Sequence, residues 1–538
     1  MSFEVKHKDL FGRVGKLKTK SGTIETPMLL PVVNPRMLEV HPRELLEEFG
    51  YKALMTNAYL LKKYFKDDVL KEGVHGFLDY KGVIMTDSGA YQALRYGKVE
   101  VEPLEILEFQ KRINVDIGVI LDVPTGWKTS RSHAEWTVKE TLKRAEEAVK
   151  HFCCEDKVLW VGPVQGGKYL DLVEVSAKEM AKLPFDIYAL GSPTDIMERY
   201  LFDILVEMIV RARRNLPIEK PLHLFGAGHP FMFSFAVALG CDLFDSASYA
   251  LYAKDDRYLT ETGTIRLENL EYFTCTCPIC QKLTPEELKE KEKTEREKLL
   301  MKHNLYVCKK EINRVKQSIV EGRLWELLEL RARSHPSLLQ ALKTLVKYAE
   351  LFTQETPAYK FRGMFVFDEI SLNRPEILTH KKKLMENYEK PREAEILLLL
   401  PQTNSKPFHK SGQYKKVRKL LESVKIDFRK IHVCFYSVPF GVIPVEIDDV
   451  YPLSQFEVAK PFNLQMKEEV VKTIVEYVNL KKYRKIFLHP DFNLLEEKMI
   501  KFLEEKVKII RTTNEKDPWS LKAIKDLEET LEKVFEKT

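Results

Sequence analysis

The sequence predicts an α/β protein whose main body is an eight-stranded (β/α)8 barrel. Three observations carry that expectation. Residues 27–250 alternate short apolar runs with longer amphipathic ones, the pattern of repeated βα units. The apolar runs number eight: Met28–Val33, Ala53–Thr56, Val83–Thr86, Ile117–Asp122, Val158–Val164, Ile187–Leu190, Leu222–Phe225 and Asp242–Phe244. Polar residues and glycines gather just after these runs, the end of a (β/α)8 barrel where sites are built. Helices are expected between the strands, among them 42–49, 102–113, 133–151, 168–181 and 195–215.

The strand ends read as follows. The third strand runs into Asp87-Ser88-Gly89-Ala90-Tyr91-Gln92 and the fourth into Asp122-Val-Pro-Thr-Gly126. The fifth meets Gln165-Gly166-Gly167 and the sixth Gly191-Ser192-Pro193-Thr194. The seventh meets Phe225-Gly226-Ala227-Gly228-His229-Pro230 and the eighth Asp245-Ser246-Ala247-Ser248-Tyr249. Taken singly, each has an ordinary explanation. An Asp after a strand often caps the next helix. Asp122 before Val-Pro-Thr-Gly suits a turn, and Tyr91 or Phe225 alone suits a core. Their joint occurrence at six consecutive strand ends points to a site. Glycines let a backbone approach a flat ligand, aromatic rings offer stacking faces, and Asp and Gln can read the donor edge of a heterocycle. The pattern fits a planar, donor-rich base. The glycine-rich phosphate loop of many barrels, expected between strands seven and eight, is missing.

Further along stands Cys275-Thr-Cys277-Pro-Ile-Cys280, with His303 on the next amphipathic segment. Three thiolates and one imidazole suit a tetrahedral Zn²⁺, and four protein ligands leave no open position, so one structural zinc is expected here. A disulfide fits less well, because a Cys277–Cys280 ring would be small and Cys275 would be left over. The other cysteines (Cys153, Cys154, Cys241, Cys308, Cys434) show no framework spacing, which suits a reducing cytoplasm. The first residues, Met1-Ser-Phe-Glu-Val-Lys-His-Lys, lack the apolar core of a signal peptide, and runs such as Ile396–Leu400 are too short to span a bilayer. No membrane partner is expected. A net charge of +6 is too weak to establish nucleic-acid binding by itself. Abundant Lys and Glu also match a thermophile's surface.

These motifs resemble the tRNA-guanine transglycosylases, the archaeal branch in particular. The matching segments are Thr86–Gln92, Asp122–Gly126, Val164–Gly167, Phe225–Pro230, Asp242–Tyr249 and the Cys275–Cys280 cluster with His303. The resemblance covers residues 1–355, and Phe365–Asp368 with Asn373–Glu376 extends it. It implies the (β/α)8 barrel with a zinc-binding insertion at 275–303. The implied reaction is base exchange without ATP: guanine at position 15 in the D-arm of tRNA is replaced by 7-cyano-7-deazaguanine, a step toward archaeosine. Carried over by motif, the nucleophile falls on Asp245 and the proton-handling aspartate on Asp87. Asp122 and Gln165 fall on residues that bind the guanine-like edge, and Tyr91 and Phe225 on the rings that sandwich it. Ser88 falls in the substrate loop. Gly191–Thr194 fall on the loop facing the 7-substituent, with Thr194 as its backbone donor, since Pro193 has no N–H.

From residue 356 the character changes. Residues 356–455 mix short strands (Met364–Phe367, Ile396–Pro401, Val433–Ser437) with basic stretches. Residues 456–538 alternate strands (Ile486–His489, Val507–Arg511) with helices, so smaller α/β or α+β domains are expected. Lys415–Lys419 and Lys481–Lys485 are candidate phosphate contacts. Archaeal relatives usually end in a PUA domain that grips tRNA, and no PUA pattern stands before Thr538. Either the chain lacks that domain or a separate PUA-domain protein supplies it. The partners implied by the resemblance are tRNA, guanine and 7-cyano-7-deazaguanine, and a homodimer is compatible with the sequence. Two rivals share the scaffold. One is an archaeosine-synthase-like amidotransferase, but the cysteine of its Pro-Cys…Lys-Pro-Tyr signature is absent from Pro401–Phe408. The other is a non-catalytic tRNA-binding subunit, which would have lost Asp245 or the Cys/His set.

Overall fold

The computed structural model describes residues 3–90, 101–152, 155, 157–423 and 427–535. The chain divides into two compact units, residues 1–347 and 348–538. The first opens with a three-stranded antiparallel sheet of β1 (Phe3–Asp9), β2 (Gly12–Lys18) and β3 (Thr23–Thr26).

The barrel follows. Its strands are β4 (Met28–Pro31), β5 (Ala53–Asn57), β6 (Val83–Asp87), β7 (Ile117–Val119), β8 (Leu159–Val164), β9 (Ile187–Leu190), β10 (Leu222–Leu224) and β11 (Leu243–Ser246). All pairings are parallel, in the order β4-β11-β10-β9-β8-β7-β6-β5. The remaining seam, β4 to β5, is joined by a parallel bridge at Val32↔Met55 and by the Val33 amide, which donates to Met55 O at 2.8 Å. The strands are buried almost throughout, as expected for parallel strands enclosed by helices. Each apolar run therefore became a strand, most with ends within a residue of the expected ones; β4 stops at Pro31, two residues short of Val33, and two other strands differ as much or more. β7 leaves the ladder at Val119, three residues short of Asp122. β11 continues to Ser246, because Asp245 and Ser246 pair with Leu30 and Pro31.

Helices Pro42–Glu47, Pro103–Arg112, Arg131–Val149 and Leu170–Met180 match four expected ones. The fifth, expected over 195–215, is two helices, Thr194–Glu198 and Phe202–Arg213. Tyr200 breaks it by taking a left-handed backbone (φ 58°). Its ring packs against Phe202 (5.5 Å) and His335 (4.9 Å). A hairpin, β12 (Arg257–Leu259) with β13 (Thr264–Arg266), then leads through two short helices to the long helix Lys293–Glu321.

The second unit pairs β14 (Met364–Val366) with β18 (Phe456–Val458). It also holds a five-stranded sheet in the order β17-β16-β15-β19-β20. These strands are β15 (Ile396–Pro401), β16 (Ile431–Ser437), β17 (Gly441–Pro444), β19 (Lys485–Leu488) and β20 (Ile510–Arg511), so stretches 356–455 and 456–538 share one sheet. The last strand is shorter than expected because Val507 ends a helix, Glu497–Val507. Of the basic runs, 415–419 lies on helix Gly412–Ser423. Lys481 turns inward and donates to the carbonyls of Met385 (3.3 Å) and Tyr388. Among the described residues, no helix is long and apolar enough to cross a membrane.

Candidate active site and Cys/His centre

Three carboxylates stand at the C-terminal ends of the barrel strands: Asp87 closes β6, Asp122 follows β7, and Asp245 sits near the end of β11. None has a Lys or Arg ion-pair partner among the described residues. Each is held by amides, a carboxamide or an imidazole instead.

Asp245 is 9% exposed. Its Oδ1 lies 2.8 Å from His223 Nε2 and accepts the Gly226 amide at 3.1 Å. His223 is fully buried on β10, and its Nδ1 has no hydrogen-bond partner. The Nε2 contact places that ring nitrogen as the one that engages Asp245. Gly226 adopts φ 69°, and a Cβ there would stand 2.7 Å from Thr194 Oγ1. Glycine thus lets the β10 loop fold back so that its amide meets Asp245.

Asp87 receives Asn57 Nδ2 at 2.8 Å and the Gly89 amide. Asn57 does double duty, since its Oδ1 caps helix Ala58–Phe77 at the Leu60 amide (2.9 Å). Burial, then the neighbouring Asp122 carboxylate, with Asp245 contributing as well, push Asp87 up to about 7. The two hydrogen bonds oppose that rise without cancelling it. The result is a carboxyl that can both give and take a proton near neutrality.

Asp122 is pushed up to about 6 by burial, against the opposing hydrogen bond from Gln165. Gln165 Nε2 donates to Asp122 Oδ2. Its Oε1 accepts the Thr125 amide at 3.0 Å and Ser192 Oγ at 2.9 Å. The second N–H of the carboxamide and Asp122 Oδ1, which Gln165 does not engage, offer a donor beside an acceptor. The loop after β9 presses against this pair: a Cβ on Gly191 would stand 2.2 Å from Gln165 Nε2. Phe225 is half-buried, with its ring centroid 4.8 Å from that of His223. Ser88 is buried and donates to Ile120 O at 3.2 Å. Tyr91, expected as the facing ring, lies outside the described residues.

Sequence reasoning missed His223, which reads as a core residue within the apolar run Leu222–Phe225, and Asn57, which reads as a helix cap. A signal for His223 was present. A histidine inside a barrel strand must place its polar nitrogens somewhere, and a carboxylate on the adjacent strand is the available partner.

Away from these residues, Cys275, Cys277, Cys280 and His303 bring their ligand atoms within 4.8 Å of one another. Cys277 Sγ and Cys280 Sγ are 3.6 Å apart, and His303 Nδ1 lies 3.5 and 3.4 Å from them. Thiolate and imidazole ligands on one tetrahedral Zn²⁺ stand roughly 3.5–3.8 Å apart, so the donor set fits such an ion. Its surroundings fit as well. His303 Nε2 donates to Leu259 O at 2.9 Å, which leaves Nδ1 as the ligand atom. Tyr258 stacks on the ring at 3.7 Å and 14°.

The family model described as queuine tRNA-ribosyltransferase matches residues 9–337, and a domain of unknown function, DUF5591, matches residues 377–531. Three curated relatives carry the name tRNA-guanine(15) transglycosylase. That of Methanocaldococcus jannaschii is 44% identical over 88% of this chain and 71% of its own length. That of Saccharolobus solfataricus is 43% identical over 90% and 96%. That of Pyrobaculum aerophilum is 44% identical over 85% and 90%. The chain therefore belongs to the queuine tRNA-ribosyltransferase family, whose members are pentosyltransferases.

Proposed function

We propose that this chain replaces guanine at position 15 of tRNA with 7-cyano-7-deazaguanine through a covalent intermediate on Asp245. The observation that carries the reading is the hold on Asp245. His223 and Gly226 both engage Oδ1, which fixes the carboxylate and leaves Oδ2 without either bond. That oxygen attacks C1′ of the ribose. The C1′–N9 bond breaks, its electron pair moves onto guanine, and Asp87 supplies the proton the leaving base needs. The incoming base then returns a proton to Asp87 and attacks C1′, releasing Asp245. The remaining Asp122 oxygen accepts the base's ring and exocyclic N–H donors, while the free Gln165 N–H meets its carbonyl. Phe225 supplies one stacking face and Tyr91 is assigned the other. The relatives' shared name supports tRNA and guanine as substrates. The nitrile base rests on the resemblance alone, with Gly191–Thr194 as the loop beside the 7-substituent.

The Cys/His centre is assigned one Zn²⁺. With four protein ligands it would brace the β12–β13 hairpin against helix Lys293–Glu321, with no part in the exchange. Residues 356–538 are assigned to tRNA affinity.

The test is incorporation of radiolabelled guanine into tRNA transcripts, with release of that label by 7-cyano-7-deazaguanine. The reading expects both, and expects neither when position 15 is substituted. Incorporation that ignores position 15, or label that the nitrile base cannot release, would contradict it.

A further inference from the structure

The three loops that carry the base-reading residues also build a second, outer feature that no step of the exchange uses. Five residues after Asp122 stands Trp127, three after Gln165 stands Lys168, and seven after Ser192 stands Arg199. These three converge. Lys168 Nζ lies 5.5 Å from the centroid of the Trp127 ring and Arg199 Cζ lies 5.8 Å from it, so both cations sit within cation–π range of one indole. Lys168 Nζ is also 5.4 Å from the Tyr169 ring. Among the described residues, neither Lys168 nor Arg199 takes part in an ion pair. Arg131, the other cation over Tyr169, differs: it is paired with Asp171 and Glu135.

The patch is linked to the loop that holds Asp245 through a chain of neighbouring residues. The Trp127 amide donates to Asp195 Oδ2 at 3.2 Å. Asp195 follows Thr194, whose Oγ1 lies 2.7 Å from where a Gly226 Cβ would be, and the Gly226 amide holds Asp245. On the other side, Thr125 ties the Trp127 loop to Gln165. The break at Tyr200 ends the short helix Thr194–Glu198, so that Arg199 turns toward Trp127.

From this geometry we infer that Trp127, Lys168 and Arg199 form an RNA-backbone subsite for the nucleotide next to the one whose base is exchanged. A nucleotide offering C1′ to a buried carboxylate must leave its stack, which strains the phosphodiesters on either side and unstacks a neighbouring base. Two cations that take part in no ion pair among the described residues, beside an indole, meet both needs, phosphate by charge and the exposed base by stacking. The inference rests on the tRNA reading above and adds which residues grip the strand beside the pocket.

The test uses the full-length protein and measures three quantities: tRNA affinity across a salt series, binding of free guanine by equilibrium dialysis, and exchange. In Lys168→Gln/Arg199→Gln, losing two single-strand phosphate contacts should make the log Kd versus log salt slope shallower by about 1.4. Trp127→Ala should weaken tRNA binding on the order of 10-fold, and Trp127→Phe should restore most of it. Guanine binding should match wild type in all variants, which also reports that they are folded. A wild-type salt slope in the double variant, with tRNA affinity within twofold, overturns the subsite. Loss of guanine binding together with tRNA binding also overturns it, since the residues would then be structural. A wild-type protein that binds guanine but neither binds nor labels tRNA overturns the tRNA reading and the subsite with it.

Discussion

The two ends of the barrel treat their carboxylates in opposite ways. At the N-terminal ends of the strands, Asp242 precedes β11 and lies against Arg13, whose Nε donates at 3.0 Å, while its other oxygen accepts the Leu222 amide at 2.9 Å. Asp116 precedes β7. Burial raises it, but the His75 ring 3.1 Å away and the amides of Ile84 and Ser21 outweigh burial and hold it below the usual carboxylate range. Asp186, before β9, is intermediate: it accepts the Trp160 amide, keeps Lys220 only at 4.0 Å, and is raised by burial. At the C-terminal ends, Asp87, Asp122 and Asp245 have no Lys or Arg ion-pair partner among the described residues. Carboxylates at one end are matched by cations and amides and serve stability. At the other end, burial first and then the neighbouring Asp122 and Asp245 carboxylates raise Asp87 to about 7, a value that suits the proton exchange proposed for it.

That contrast can be broken most sharply at Asp245. Asp245→Asn keeps shape and the Gly226 contact but replaces the carboxylate proposed as the nucleophile with a carboxamide. Exchange should fall on the order of 10⁴-fold or more, with tRNA affinity and melting temperature near wild type. A variant within tenfold of wild type would place the chemistry elsewhere. The matching change at the other end is Asp242→Asn, which strands the buried Arg13 charge. Removing one partner of a buried pair costs about 3–5 kcal/mol, so denaturant midpoints should drop while turnover per folded molecule holds. Unchanged stability would show that the two ends are not specialised as argued.

A smaller effect sharpens the electrostatics. In the proposed exchange Asp87 is protonated when guanine leaves, so the rate of that half-reaction should fall as pH rises through about 7. The Asp122 charge helps hold Asp87 high. Asp122→Asn should therefore lower the Asp87 pKa and move this alkaline limb to lower pH, whatever it does to the overall rate. A limb that stays put would mean the two carboxyls are not coupled.

Most of the barrel could be read from the sequence because a strand enclosed on both faces leaves a run of apolar residues, and eight such runs stood in order. What the sequence hid were places where tertiary contacts override local pattern. The apolar stretch 201–213 reads straight on from 195, and only the packing of Tyr200 against Phe202 and His335 explains the break. Ser246 became strand because β4 offered it Pro31 as a partner. In the candidate site, the acidic and amide residues were legible by type and position, whereas His223 was masked by its apolar neighbours and Asn57 by its role as a cap. Both orient a carboxylate supplied by the neighbouring strand, a relation that only the parallel register reveals.

The central claim is that the Asp245 carboxylate forms a bond to ribose. It is tested most directly by denaturing the enzyme during turnover on guanine-15 tRNA, without an incoming base, then digesting it and locating any ribose adduct by mass spectrometry. The account predicts an adduct on the peptide containing Asp245 that is absent from Asp245→Asn and is chased away by added guanine. An adduct on another residue, or active enzyme that never carries one, would contradict it.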